Sequence, residues 1–346
     1  MSTPNILIDG PSRSGKLLLG KLVMASPSMA FQHYSGDLER ILESIYFAND
    51  KRTEITLYEL LRINLVHTFN DLRELRQLSV NSNDSSFFKK TFFYEKFKDL
   101  IASGDASSYI KSSRIGFVMH THESILFIQK LKKNQIKEDI LNHHFSSIAY
   151  IIRNPSAQVL SWYSRGYVQD WKQDNEIHSP FILYKLNYKI PGLNQNGIYS
   201  APWFVNSSID HYLKSDRISK RDLEKLSPLD VITIGVCYLT DCYLKLFYSF
   251  NENSSTTNQK YNSSFFVFHE NLHDKGVDQI QKIFELAGLQ LDTDKLILSA
   301  RNELSPTRFG RESINKATKT LQESVFLPSV LDILKDTHRS YESALG

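Results

Sequence analysis

Three groups of polar residues in this chain are of the types that bind anions or move protons. The first spans residues 12–16 and reads Ser-Arg-Ser-Gly-Lys, the second is His120 to Glu123, and the third is Arg153 to Pro155. Each follows a short apolar run, which is typical of a buried strand. Because ligands of open α/β sheets bind where the strands end, we expect all three groups at a ligand-binding edge.

The first group has the composition of a phosphate-binding loop. Ile6 to Ile8 predicts a strand, and the apolar residues after Lys16 predict a helix. The N–H groups of such a loop converge on an anion, and the helix dipole favours negative charge there. Arg13 and Lys16 add two cations. We therefore expect the 5′-phosphate end of a nucleotide here, the alternative being an ordinary strand–helix turn with basic residues.

The amino-acid sequence of this loop fits two patterns. Gly10 to Lys16 has the form GxxxxGK, the Walker A pattern, but Leu17 occupies the place of the Ser or Thr that holds Mg²⁺. That substitution argues against metal-dependent nucleoside triphosphate chemistry. The segment SRSGKLLL also resembles the 5′-phosphosulfate loop of sulfotransferases. The sulfuryl donor of that family, 3′-phosphoadenosine 5′-phosphosulfate (PAPS), reacts without a metal.

Arg153-Asn154-Pro155 is the most specific of the three groups. Asn154 suits a helix N-cap and Pro155 suits the first helical position, so a helix is predicted to begin here. Ser161 lies eight positions after Arg153, and both can reach one anion. The pattern RNPxxxxxSWYxR resembles the sulfotransferase motif in which the Arg and the Ser hold the 3′-phosphate of PAPS. The alternative is a salt bridge of Arg153 at the helix start.

The group at His120 to Glu123 supplies candidates for a general base. Sulfotransferases that resemble this chain have Lys-Thr-His here, so His122 matches their base and His120 replaces their Lys. Other members use Glu, which keeps Glu123 as an alternative. A neutral imidazole can take the acceptor's proton near pH 7. These residues could instead simply cap the next helix.

A fourth segment, Ser305 to Arg311, resembles the C-terminal Arg-Lys-Gly loop that closes over the 3′-phosphate and adenine in sulfotransferases. Arg308 and Gly310 match that triplet, Phe309 replaces its Lys, and Arg311 is a substitute charge. A solvated basic loop fits equally well. The resemblance thus assigns catalysis to His122, Lys16, Arg13 and Glu123, and cofactor binding to Arg13, Ser14, Gly15, Lys16, Leu17, Arg153, Ser161, Arg308 and Gly310.

The elements that must position these groups follow from strand–loop–helix units that recur along the chain. Such units predict an α/β fold with a central parallel sheet and helices on both faces. The resemblance implies a P-loop-like three-layer sandwich. We predict a single domain over residues 1–346, with a helical insertion at about 36–110 and a variable acceptor-side region at about 171–230.

The net charge, the cysteine count and the hydropathy exclude few classes of protein, and they agree with the predicted α/β fold. A net charge of +3 is too small to indicate general nucleic-acid binding. The two cysteines, Cys237 and Cys242, are predicted to be buried thiols in a reducing compartment. The apolar stretch 231–250 contains Asp241 and Lys245, which favours a core helix over a membrane span. Because the first strand begins almost at Met1, we expect no signal peptide and a cytoplasmic protein.

These observations lead to one expectation with two alternatives. The chain is expected to move a sulfuryl group from PAPS to a hydroxyl or amine of a small-molecule or glycan acceptor, releasing 3′-phosphoadenosine 5′-phosphate and using no metal. The alternatives are a P-loop kinase or NTPase that uses ATP, and a non-catalytic relative that binds a nucleotide without turnover.

Overall fold

The computed structural model describes residues 5–33, 114–118, 145–164, 200–253, 263–324 and 326–346, with a few positions between 41 and 63, at 103–104 and between 183 and 190. Most of the predicted helical insertion at 36–110 lies outside the described residues. So do His120, His122 and Glu123.

The described strands are β1 (Asn5–Asp9), β2 (Met29–His33), β3 (Arg114–Val118), β4 (Phe145–Ile152), β5 (Leu183–Lys185), β6 (Ser200–Pro202) and β7 (Ser263–Phe268). The described helices are α1 (Lys16–Val23), α2 (Pro155–Tyr163), α3 (Trp203–Lys214), α4 (Pro228–Asn253), α5 (His269–Lys275), α6 (Val277–Ala287), α7 (Thr293–Glu303), α8 (Pro306–Phe309), α9 (Arg311–Gln322) and α10 (Pro328–Leu345).

Five of these strands form one sheet in the order β2-β3-β1-β4-β7. The pairs β2–β3, β3–β1 and β1–β4 are all parallel. Parallel neighbours require crossover connections, which here include helices. The predicted α/β class with a central parallel sheet is confirmed. The strands β5 and β6 form a separate antiparallel pair.

Contacts divide the chain into two compact units, and the single-domain boundary stays a prediction. Unit 1 comprises residues 1–151, 258–267 and 271–305 and contains the sheet. Every residue of β1 is buried, and so is β4 except for Ser146. Burial of successive residues means that both faces of the sheet are covered, as in other parallel sheets. In unit 1, α1 packs against α6 and α7.

Unit 2 comprises residues 152–257, 268–270 and 306–346 and is built around α4. This helix packs against α2, α3 and α10. By length and composition it is apolar enough to cross a membrane, but 72% of its most apolar window is buried inside the structure. That burial agrees with the predicted core helix. Both cysteines lie on it, and both are buried thiols that are not part of a disulfide.

Candidate functional site

The loop after β1 begins with a glycine that has no room for a side chain. A Cβ atom on Gly10 would lie 2.1 Å from the carbonyl oxygen of Ile151 and 2.7 Å from Oγ of Ser14. Such contacts are far inside van der Waals distance, so only glycine allows the chain to pass this close to β4. The first glycine of the predicted phosphate loop therefore has a packing role.

The next residues form a tight turn with two left-handed positions. The N–H of Ser14 donates to the carbonyl of Pro11 at 3.2 Å. Arg13 has φ of 62° and Gly15 has φ of 102°. A left-handed conformation is ordinary for glycine but costs an arginine of the order of 1–2 kcal/mol. Left-handed residues in turns orient successive N–H groups toward one concave side, which is an anion-binding geometry.

Helix α1 starts with its N-terminal N–H groups directed at this turn. Gly15 is the N-cap and provides no side-chain hydrogen bond, and no acidic residue lies in the first turn. The positive end of the helix dipole is therefore not offset by a local carboxylate of that turn. Lys16, 7% exposed, is the first helical residue. This arrangement suits a phosphate group.

The side chains of this loop divide into buried and exposed ones. Ser14 is fully buried, and its Oγ has no hydrogen-bond partner among the described residues. Arg13 is exposed, and Leu17 is 42% exposed in the first turn of α1. A buried hydroxyl without a partner is costly, and a bound anion would offset that cost. The loop residues thus fit a phosphate or phosphosulfate group.

Sequence reasoning missed the burial of Asp9, the last residue of β1. Asp9 is fully buried and pairs in register with Tyr150 on β4. Burial raises the pKa of the Tyr150 hydroxyl, and the charge of Asp9 raises it further. A buried carboxyl group thus directly precedes the predicted phosphate loop. The Asp-Gly pair at the end of the apolar run was the only local indication.

The corner after β4 is built as the sequence predicts. The side chain of Asn154 accepts hydrogen bonds from the N–H groups of Ser156 at 3.0 Å and Ala157 at 3.3 Å. Pro155 occupies the first turn of α2. The predicted N-cap and helix start are confirmed. Arg153 is half-buried in front of this cap.

A buried carboxylate in the first turn of α5 holds this corner. The N–H of Asn154 donates to Oε1 of Glu270 at 3.1 Å, and the hydroxyl of Tyr341 donates to Oε2. Burial raises the pKa of Glu270, while the bonds from Tyr341 and Asn154 and the charge of Arg153 oppose that rise. Both oxygens are thus used inside unit 2. Glu270 also interacts electrostatically with Arg153, and the alternative of a salt bridge at Arg153 stays a prediction.

The C-terminal helix α10 supports the same corner from a second point. The side-chain amide of Asn154 contacts Nδ1 of His338 at 3.2 Å and donates to Oε1 of Glu342 at 3.4 Å. Burial lowers the pKa of His338, and Glu342 opposes this shift. Neither residue was a sequence-based candidate, because no local pattern links α10 to residue 154.

The structure brings Arg153 and Arg308 together in unit 2. Their guanidinium carbons lie over the ring of Phe309, at 5.9 Å from its centroid for Arg153 and 5.0 Å for Arg308. Residues 306–309 form one helical turn, α8, where the resemblance implied a loop. Gly310 is buried and caps α9, and Arg311 donates to the carbonyl of Gly346 at 3.4 Å.

The remaining candidates are placed only in part. Ser161 is half-buried in the second turn of α2, and its carbonyl accepts from Oγ of Ser164 at 3.2 Å. The candidate bases lie outside the described residues. The strands that lead into the two predicted phosphate motifs, β1 and β4, are parallel neighbours. Within the described part of the chain, no three His, Cys, Asp or Glu side chains are grouped to hold a metal ion.

No protein-family model and no curated protein matches this chain. Among solved structures, it resembles a sulfotransferase domain from the curacin biosynthetic pathway at 11% identity and a TM-score of 0.41, over 97% of this chain and 98% of that one. It also resembles sulfotransferase STF9 from Mycobacterium avium at 9% identity and a TM-score of 0.31, over 94% of this chain and 77% of that one. At such low identities and TM-scores, neither likeness shows the family or the activity of this chain.

Proposed function

We propose that this chain is a sulfotransferase that uses PAPS. The observation that carries the proposal is that two motifs suited to phosphate groups follow β1 and β4, which are parallel neighbours in one sheet. The carboxyl ends of parallel neighbours lie at the same edge of a sheet, where ligands of this fold class bind. A cofactor with phosphates at both ends of its ribose suits two such motifs.

The loop after β1 is proposed to hold the 5′ end of the cofactor. The N–H groups of residues 14–17 and the cations Arg13 and Lys16 would bind its phosphate and neutralise the charge that develops on it. Preorganised donors of this kind commonly supply the largest part of such catalysis. When bound, PAPS supplies an activated sulfuryl group.

The corner after β4 is proposed to hold the 3′-phosphate. Arg153 offers several directed N–H donors, and a guanidinium recognises phosphate through paired hydrogen bonds. Ser161 would add a hydroxyl, and Arg308 a second guanidinium beside Gly310. The shared contact of both arginines with Phe309 supports their acting on one anion.

The base is proposed to be His122, with Glu123 as the alternative. It would take the proton from the acceptor hydroxyl or amine as that oxygen or nitrogen bonds to sulfur. The bond between sulfur and the 5′-phosphate oxygen would break, and 3′-phosphoadenosine 5′-phosphate would leave. The acceptor is proposed to be a small molecule or a glycan, and the protein to act in the cytoplasm.

One binding experiment separates this proposal from its rivals. Thermal stability is measured with 3′-phosphoadenosine 5′-phosphate in the absence of metal, and with ATP plus Mg²⁺. Stabilisation by the bisphosphate alone supports the sulfotransferase. Stabilisation by ATP plus Mg²⁺, but not by the bisphosphate, would indicate the P-loop kinase that the GxxxxGK pattern allows. No stabilisation by either nucleotide overturns the proposal.

Two variants then separate binding from chemistry. His122→Ala is expected to lose turnover and keep its affinity for 3′-phosphoadenosine 5′-phosphate. Arg153→Ala is expected to weaken that affinity by about 1.5–3 kcal/mol, the value of a charge-assisted contact. Unchanged turnover in the first variant would remove His122 from the role of base, and Glu123→Gln is its matched comparison.

A further inference from the structure

The ring of Phe309 is the common neighbour of two cations. The guanidinium carbon of Arg308 lies over it at 5.0 Å from the centroid, and that of Arg153 at 5.9 Å. Both distances are within the range of a cation–π interaction, about 6 Å. The two arginines are far apart in sequence and come together at this one aromatic side chain.

Two guanidinium groups beside the same ring carry like charges that repel each other, and the charge of Glu270 offsets part of this repulsion on the side of Arg153. The π face of a phenyl ring is negative and attracts both of them. The ring is itself held in place, because it is half-buried and makes an edge contact with the buried imidazole of His269, at 6.1 Å and 81°. A leucine of similar size would fill the space and lack this attraction.

We propose that Phe309 is a positioning residue that presents Arg153 and Arg308 together to a dianionic phosphomonoester. In this role it gives the site its preference for a ligand with a phosphate at the 3′ position. The inference rests on the proposed function, since it takes the 3′-phosphate of the cofactor as the ligand of the two arginines.

At position 309, the ring is expected to strengthen the site, whereas the sequence suggests that it weakens the site. The sulfotransferase triplet has Lys where this chain has Phe309, so the sequence alone presents the phenylalanine as a lost charge. An ammonium at this position would instead repel both guanidinium groups. Restoring the lysine should therefore weaken the site rather than repair it.

The test measures, by calorimetry, the affinities of the full chain for 3′-phosphoadenosine 5′-phosphate and for AMP, which lacks the 3′-phosphate. The readout is the ratio of the two affinities in wild type, Phe309→Leu, Phe309→Tyr and Phe309→Lys. We expect the ratio to fall about tenfold in the Leu and Lys variants and to change by less than about twofold in the Tyr variant. Affinity for AMP should stay the same in all four.

Three outcomes would overturn the inference. They are a wild-type ratio in Phe309→Leu, a raised ratio in Phe309→Lys, and equal losses in the Tyr and Leu variants. If wild type itself does not prefer the bisphosphate over AMP, the proposed function fails as well. A preference that is present in wild type and unchanged in the variants removes only the role of Phe309.

A second measurement stays decisive if Phe309→Leu folds poorly. Arg308 is exposed, so Arg308→Gln should leave the fold intact. In the Arg308→Gln background, Phe309→Lys should lower the ratio of the two affinities by a distinctly smaller factor than it does in wild type. The reason is that only one of the two repelled cations remains. Fully additive losses would contradict the inference.

Discussion

The hydroxyl of Tyr341 donates a hydrogen bond to Oε2 of Glu270 inside unit 2, where both side chains are almost fully buried. The other oxygen of Glu270 accepts from the N–H of Asn154. One carboxylate thus connects the C-terminal helix α10 to the backbone that carries Arg153. A site at Arg153 depends on residues more than a hundred positions away in sequence.

Tyr341→Phe is expected to destabilise the protein by about 1–3 kcal/mol, because it leaves a buried carboxylate oxygen without its donor. Burial raises the pKa of Glu270, so its contribution to stability is present below its ordinary pKa and is lost as the pH rises through the folded value. The bond from Tyr341 opposes this rise in pKa. The free-energy gap between wild type and variant should therefore widen from about pH 5 to about pH 8.

Urea unfolding at both pH values measures this gap. The matched control repeats the substitution in a Glu270→Gln background, where no carboxylate titrates and the gap should not depend on pH. A gap that is constant in the wild-type background as well would show that Glu270 is not the titrating group.

Asn154→Ala is expected to cost about 1–2 kcal/mol of unfolding free energy, because α2 loses the acceptor of two N–H groups. Asn154→Ser is the control, since serine also caps helices but cannot reach His338 as the amide does. The difference between the unfolding free energies of the two variants in urea measures the contribution of the helix cap. Equal losses would assign the cost to the contact with α10 instead.

Arg13→Gly is expected to stabilise the ligand-free protein by up to about 1 kcal/mol, because glycine adopts the left-handed conformation of this position without strain. The same change should weaken the binding of 3′-phosphoadenosine 5′-phosphate, since a cation of the loop is lost. Arg13→Lys keeps the charge and the strain, and should not gain stability. A less stable Arg13→Gly variant would show that contacts of the arginine side chain outweigh the strain.

Neither cysteine should react with a thiol reagent in the native protein. Burial raises the pKa of Cys242 to about 12 and also raises that of Cys237, so almost no thiolate is present near neutral pH. We expect no labelling by Ellman's reagent at about pH 8 and labelling of both thiols after unfolding in urea. Rapid labelling of the native protein would place one of them at the surface.

The parts of the fold that the sequence predicted are those with a local cause. The strands β1 and β4 are apolar runs, and the start of α2 has both an N-cap and a proline. Helix α3 was missed, because polar residues interrupt its apolar spacing. One of them, Ser208, is fully buried and satisfies its hydroxyl with the carbonyl of Val205 at 2.8 Å, which no sequence pattern reveals.

The candidate site shows the same division. The loop after β1 could be proposed as a phosphate site because its residues are consecutive, whereas the contacts of Glu270 with Tyr341 and Asn154 join distant segments. The surroundings of residue 309 could not be predicted from the sequence for a further reason. The ring of Phe309 interacts with two arginines. Arg308 is adjacent in sequence, but Arg153 is far from it in sequence.

The lack of room for a Cβ atom between Gly10 and the carbonyl of Ile151 limits how this loop can vary. In a saturation-mutagenesis library, codon 10 should tolerate no replacement, alanine included, even when selection acts only on soluble expression. Codon 13 should accept many residues under that selection and few under a selection for nucleotide binding. Comparing the two screens would separate the position that shapes the backbone from the one that serves the ligand.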